Sequence, residues 1–105
     1  MATSTDTVIE VIKKYLHELN LNGIPINQAF LFGSFVKGTA KEESDIDIAL
    51  ISEAFTGDRF DDRRRIVPLR RNIDNRLEPI PFSPENFASG GILIDEITKT
   101  GIRIV

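Results

Sequence analysis

The stretch Asp45-Ile46-Asp47-Ile48-Ala49-Leu50-Ile51 constrains this chain more than any other segment. Ile46, Ile48 and Leu50 alternate with Asp47, Ala49 and Ile51, the period-2 pattern of a β-strand. A strand needs neighbours, and the sequence supplies them. Ala29-Phe30-Leu31-Phe32 is a short apolar run ending at Gly33, which reads as a buried strand at about 28–32. Residues 77–82 look extended, and Pro79 and Pro81 confine them to an edge where a missing N–H costs least. Residues 102–105 form a final short strand.

The segments between these strands have helical character. Val8, Val11, Ile12, Tyr15, Leu16 and Leu19 recur at helical spacing after a Ser4/Thr5/Asp6 cluster able to cap the helix. Residues 60–72 read as a second helix that Pro68 should kink or restart. Ser83-Pro84 has the chemistry of a helix start, and a helical stretch over 92–100 stops at Gly101, a suitable residue just past a helix end. Helices and strands alternate without repeats or linkers, so the expected architecture is one α/β (α+β) domain over 1–105: a small mixed sheet of about four strands flanked by helices.

Composition narrows the function classes. An apolar share of 41% and a charged share of 28% are ordinary for a globular protein. Thirteen Lys and Arg against sixteen Asp and Glu give a net charge of −3, so no global positive field draws the chain onto nucleic acid, and any phosphate must be gripped locally. The chain has no cysteine, which excludes disulfides, thiolate metal sites and Cys nucleophiles. Metal ligands must then be oxygens or the one histidine, His17, which sits away from every motif and reads as a surface residue. No signal peptide or run of ~20 apolar residues is present, and the expected location is the cytoplasm.

Asp45 and Asp47 lie two apart on the second strand, so both side chains leave one face with Cα atoms roughly 6–7 Å apart. Two carboxylates about 4 Å apart repel by about 1 kcal/mol in water and about 4 kcal/mol at an effective dielectric of 20, so a sheltered pair favours a cation. Oxygen ligands select Mg²⁺ or Mn²⁺ over zinc. Gly33-Ser34 directly follows the first strand, with Gly38 four residues on, and reads as a strand–Gly–Ser–helix junction. Such a junction places free N–H groups and a hydroxyl where phosphate oxygens bind. Gly-Ser, then a loop, then Asp-x-Asp on the next strand makes a phosphate cradle adjacent to a metal site. Arg63, Arg64, Arg65, Arg70, Arg71 and Arg76, beside Asp58, Asp61 and Asp62, read as a solvated helix laced with ion pairs.

Leu31-Phe32-Gly33-Ser34-Phe35-Val36-Lys37-Gly38, followed by Ser44-Asp45-Ile46-Asp47-Ile48-Ala49-Leu50, resembles the signature of the minimal nucleotidyltransferases of the DNA polymerase β-like superfamily. The resemblance extends over the Arg-Leu-Glu-Pro-Ile-Pro-Phe-Ser-Pro-Glu segment and the closing helix–Gly–strand. It implies the nucleotidyltransferase fold, a third carboxylate best matched by Glu78 with Asp74 as runner-up, and a phosphate-binding role for Gly33, Ser34 and Lys37. Asp45, Asp47 and Glu78 would be the catalytic metal ligands. Glutamate at the third position and Phe35 after the Gly-Ser pair depart from the usual pattern.

The activity implied is two-metal transfer of AMP from ATP, or another nucleoside monophosphate from its triphosphate, to a hydroxyl, with Mg²⁺ or Mn²⁺ as cofactor. About 105 residues leave no room for the additional helical domain of larger relatives. The resemblance therefore suggests a partner, commonly a helical HEPN-type toxin, with this chain as antitoxin and a tyrosine of the toxin as acceptor. Transfer to a small molecule or RNA, and a catalytically idle binding subunit, are the alternatives.

Overall fold

The computed structural model describes residues 5–41 and 43–105. Ser4, one of the expected capping residues, lies outside them. Along the chain run α1 (Thr5–Leu21), β1 (Gln28–Phe32), α2 (Ser34–Lys37), β2 (Ile46–Ile51), α3 (Arg59–Ile66), a 3₁₀ segment (Val67–Asn72), β3 (Leu77–Phe82), α4 (Pro84–Ala88), α5 (Ile92–Thr100) and β4 (Ile102–Arg103). The four strands form one mixed sheet in the order β3-β2-β1-β4. β1 is antiparallel to β2 and to β4, whereas β2 and β3 are parallel. The expected α/β architecture with about four strands is what the chain adopts.

Alternation along the strands gives the sheet two unlike faces. Ala29, Leu31, Ile46, Ile48, Leu50 and Leu77 point into the main core, where Val8, Ile12, Tyr15 and Leu19 of α1 and Ile66 of α3 cover them. On the opposite face Phe32, Ala49, Ile51 and Phe82 pack with Ile97 of α5, and Phe87 of α4 packs against this group. That second layer covers only part of the face. Along β2 the residues of that face run from Asp47 through Ala49 to Ile51, so one strand is apolar at its end and acidic at its start.

Tyr15 joins two elements across the main core. Its hydroxyl donates to the Ile66 carbonyl at 2.7 Å, tying α1 to the point where α3 passes into the 3₁₀ segment. Pro68 has no N–H to continue the α-helical ladder, and the chain tightens into the 3₁₀ segment there rather than bending a continuous helix. Asp62 of α3 is fully buried, and its carboxylate accepts from Thr56 N at 2.9 Å, Thr56 Oγ1 at 3.1 Å and Gly57 N at 3.1 Å.

Two boundaries differ from the sequence reading. Gly101 has φ −73° and ψ 159°, an extended rather than left-handed conformation; glycine is required there because a Cβ would collide with the Ile97 carbonyl oxygen. The final strand pairs only over Ile102–Arg103, although the Ile104 N–H still reaches the Ala29 carbonyl at 2.7 Å.

Candidate active site

The acidic residues gather where β1 ends and β2 and β3 begin. Phe32, the last residue of β1, pairs with Asp47, and on the other side of β2 Asp47 pairs with Glu78. Partners in register share a face, so Asp47 and Glu78 stand side by side on neighbouring strands about 4.8 Å apart. Asp45 immediately precedes β2 rather than belonging to it. It is exposed while Asp47 is half-buried. Burial pushes the Asp47 carboxyl above its ordinary value, and the negative charges of Asp45 and Glu78 push it further in the same direction.

Gly33 fits this arrangement tightly. Its backbone has φ 80° and ψ −146°, a region essentially reserved for glycine. A Cβ built there would overlap the Asp47 carboxylate and come within 3.1 Å of its Cγ. The turn after β1 is thus pressed against the central acid. Gly33 itself caps α2, and Ser34 is the first helical residue with no side-chain capping bond at the junction. Its hydroxyl is therefore not spent as an N-cap, and the Ser34 and Phe35 amides lack intrahelical partners, whereas the Val36 and Lys37 N–H groups both donate to the Gly33 carbonyl. Lys37 ends α2 and is paired with Glu96 of α5, Nζ to Oε1 at 3.0 Å. Phe35 is buried in the main core.

Glu78 is held from the edge of the sheet. Arg70 Nη1 lies 3.0 Å from Glu78 Oε1, and Arg63 Nη2 lies 3.7 Å from Glu78 Oε2. The arginine run is therefore not simply a solvated, ion-paired helix: two of its members reach back to β3, and the pairs within the helix are long, with Arg64–Asp61 at 4.0 Å and Arg65–Asp62 at 3.9 Å. No α-helical spacing relates the two, because Arg63 lies in α3 and Arg70 in the 3₁₀ segment. Nothing in the sequence singled out Glu96. Asp74 is occupied elsewhere: its Oδ2 receives Arg76 Nη2 at 2.7 Å and its Oδ1 receives Arg76 Nε at 3.1 Å. These bonds hold its carboxyl below the ordinary carboxylate range.

The residues suit a hard divalent cation in chemistry, since every donor at this end is a carboxylate oxygen and Gly33 leaves Asp47 room that any larger residue would fill. Among the described residues, no three acidic or histidine side chains close into a ready metal cage. Asp45 and Asp47 would hold the ion, and Glu78 would join from its arginine pair. No helix among the described residues is long and apolar enough to cross a membrane.

Residues 10–105 match the model of the family described as polymerase beta, nucleotidyltransferase. No curated protein is significantly similar to the chain in sequence. Among solved structures, a protein of Sulfolobus solfataricus provisionally assigned as a nucleotidyltransferase is 16% identical with a TM-score of 0.65, over 91% of this chain and 78% of that one. A toxin–antitoxin structure with AMP-PNP is 25% identical with a TM-score of 0.64, over 92% of this chain and 72% of that one. A mutant of the toxin–antitoxin pair MntA–HpeT, with two aspartates replaced by glutamates, is 22% identical with a TM-score of 0.63, over 89% of this chain and 71% of that one. With its family signature over nearly the whole length and its fold shared with these structures, the chain belongs to the polymerase β nucleotidyltransferase family.

Proposed function

We propose that this protein is a Mg²⁺-dependent nucleotidyltransferase that moves AMP from ATP to a hydroxyl of a protein partner, in an antitoxin role. The observation that carries the reading is the gathering of Asp45, Asp47 and Glu78 beside the Gly33-Ser34 turn, where burial first and the neighbouring charges second raise the Asp47 carboxyl. Negative charge concentrated against an unpaired helix start suits a nucleotide triphosphate accompanied by cations. The AMP-PNP in one toxin–antitoxin relative supports the nucleotide, and both such relatives support a protein partner. A HEPN-type toxin with an acceptor tyrosine is the partner that the sequence resemblance favours.

In this reading, the first amides of α2 and the Ser34 hydroxyl take oxygens of the β- and γ-phosphates. Lys37 contributes only if it leaves Glu96. Asp45 and Asp47 would hold the metal, with Glu78 completing the site near the acceptor; a bound Mg²⁺ would offset charge on the triphosphate and lower the pKa of the acceptor hydroxyl. The acceptor oxygen forms a bond to the α-phosphorus, the bond from that phosphorus to the bridging oxygen breaks, and pyrophosphate leaves. The hydroxyl proton passes to the carboxylates and then to water.

The exposure of Asp45 leaves this end open, and holding an acceptor in line can supply about 7–11 kcal/mol of barrier reduction. A docked partner would provide that wall. One observation favours the second reading, a catalytically idle binding subunit: both Glu78 oxygens face arginines. Intact-mass spectrometry of the partner after incubation with this protein, ATP and Mg²⁺ separates the two. Addition of one AMP supports transfer; a stable complex with an unmodified partner supports the binding subunit.

A further inference from the structure

β3 is an edge strand with one side turned away from β2. Ile46 N–H donates to the Arg76 carbonyl at 2.8 Å and Ser52 N–H to the Phe82 carbonyl at 3.2 Å, so the even-numbered positions of β3 turn their backbone groups towards β2. Residues 77, 79 and 81 turn theirs outward, where Pro79 and Pro81 offer no N–H. The outward carbonyls of Leu77 and Pro79 are taken by the same two arginines that meet Glu78. Arg70 Nη1 donates to the Leu77 carbonyl at 2.6 Å, and Arg63 Nη1 donates to the Pro79 carbonyl at 3.0 Å. Each guanidinium is thus anchored to the backbone of the strand that carries Glu78.

We infer that Arg63 and Arg70 are positioning residues for Glu78: fixed counterions that hold its carboxylate beside Asp47, so that a divalent cation has to share Glu78 with them. The inference rests on the reading of Glu78 as the third acid. Two physical effects oppose each other when an arginine is removed. Glu78 regains the rotamer freedom of one side chain, which weakens cation binding. Glu78 is also released from a fixed counterion and offers the cation its full charge rather than one shared with a guanidinium, a gain doubled by the cation's own double charge and strong in a partly sheltered site. The second effect dominates, so removing an arginine tightens cation binding while leaving Glu78 less well placed for transfer. A mere staple of the sheet edge would change stability and neither of these.

The test uses Mn²⁺ as probe, with binding to the nucleotide-free protein followed by electron paramagnetic resonance, and AMP transfer measured alongside. Arg70→Gln is expected to tighten Mn²⁺ binding about threefold to tenfold and to slow transfer by a similar factor, with both effects disappearing in a Glu78→Gln background because the residues act through one another. Arg70→Lys keeps the charge and should stay near wild type in both measurements. Arg63→Gln, with its longer contact, should show the same pattern at smaller size and serves if Arg70→Gln does not fold. Unchanged Mn²⁺ binding in both arginine variants, or equal shifts with and without Glu78, would overturn the inference and leave the nucleotidyltransferase reading standing. Mn²⁺ binding that is indifferent to Asp47→Asn would instead fail the metal-site reading, and the inference with it.

Discussion

Among the described glycines, Gly33 lies tightest, against Asp47. Any side chain at 33 must displace the Asp47 carboxylate and also adopt a backbone conformation that costs about 1–3 kcal/mol. Gly33→Ala is therefore expected to lower the denaturation midpoint and to reduce transfer about 100-fold, the scale of loss that a small misplacement of a reacting group produces. Asp47 gives a pH signature as well. Its folded-state pKa is raised, so between the ordinary carboxylate value and the raised one the folded protein holds more protons than the unfolded chain, and stability falls as pH rises through that window. The cost persists at neutral pH. Asp47→Asn removes it with little change in shape, and the variant should melt above wild type at pH 7, with the gap closing below about pH 4. A variant that melts lower than wild type at pH 7 would contradict this. At this scale the sequence revealed the acids and Gly33, because period-2 spacing fixes which side chains share a face. It did not reveal that Ser34 is free of capping or that Arg63 and Arg70 meet Glu78, since those depend on how α3 wraps the sheet edge.

Among the elements, boundaries set by periodicity were easiest to read and those set by tertiary contacts were hardest. β1 follows its apolar run and β2 its alternation, and the edge placement of β3 follows from Pro79 and Pro81, whose carbonyl side faces outward as their missing N–H groups require. The helix expected over 60–72, kinked or restarted at Pro68, divides there into α3 and a 3₁₀ segment, and Tyr15 closes the junction from 51 residues away. No local pattern encodes that bond. Tyr15→Phe removes that buried bond, at a cost of about 0.5–1.5 kcal/mol. Thermal unfolding should show a melting temperature several degrees lower, with metal binding at the acid cluster unchanged. A melting temperature equal to wild type would mean that water or another donor replaces the phenol.

For the molecule as a whole, the two faces of one sheet divide the labour. The main core holds β2 in place, and the opposite face is apolar where α4 and α5 cover it and acidic where they do not. Net charge of −3 leaves nucleotide capture to local groups rather than to a long-range field. Mg²⁺ with ATP should therefore raise the melting temperature by a margin that grows with ligand concentration, and equal shifts in wild type and Asp45→Ala would refute binding at this site. The central claim is the class of bond that is made and broken, and isotope position reads it directly. The partner is incubated with this protein, Mg²⁺ and ATP labelled on either the α- or the γ-phosphorus. Nucleotidyl transfer predicts that α-label enters the partner, that γ-label leaves as pyrophosphate, and that Asp47→Asn abolishes incorporation while complex formation survives. Incorporation of γ-label, or α-labelling by Asp47→Asn equal to wild type, would contradict the account.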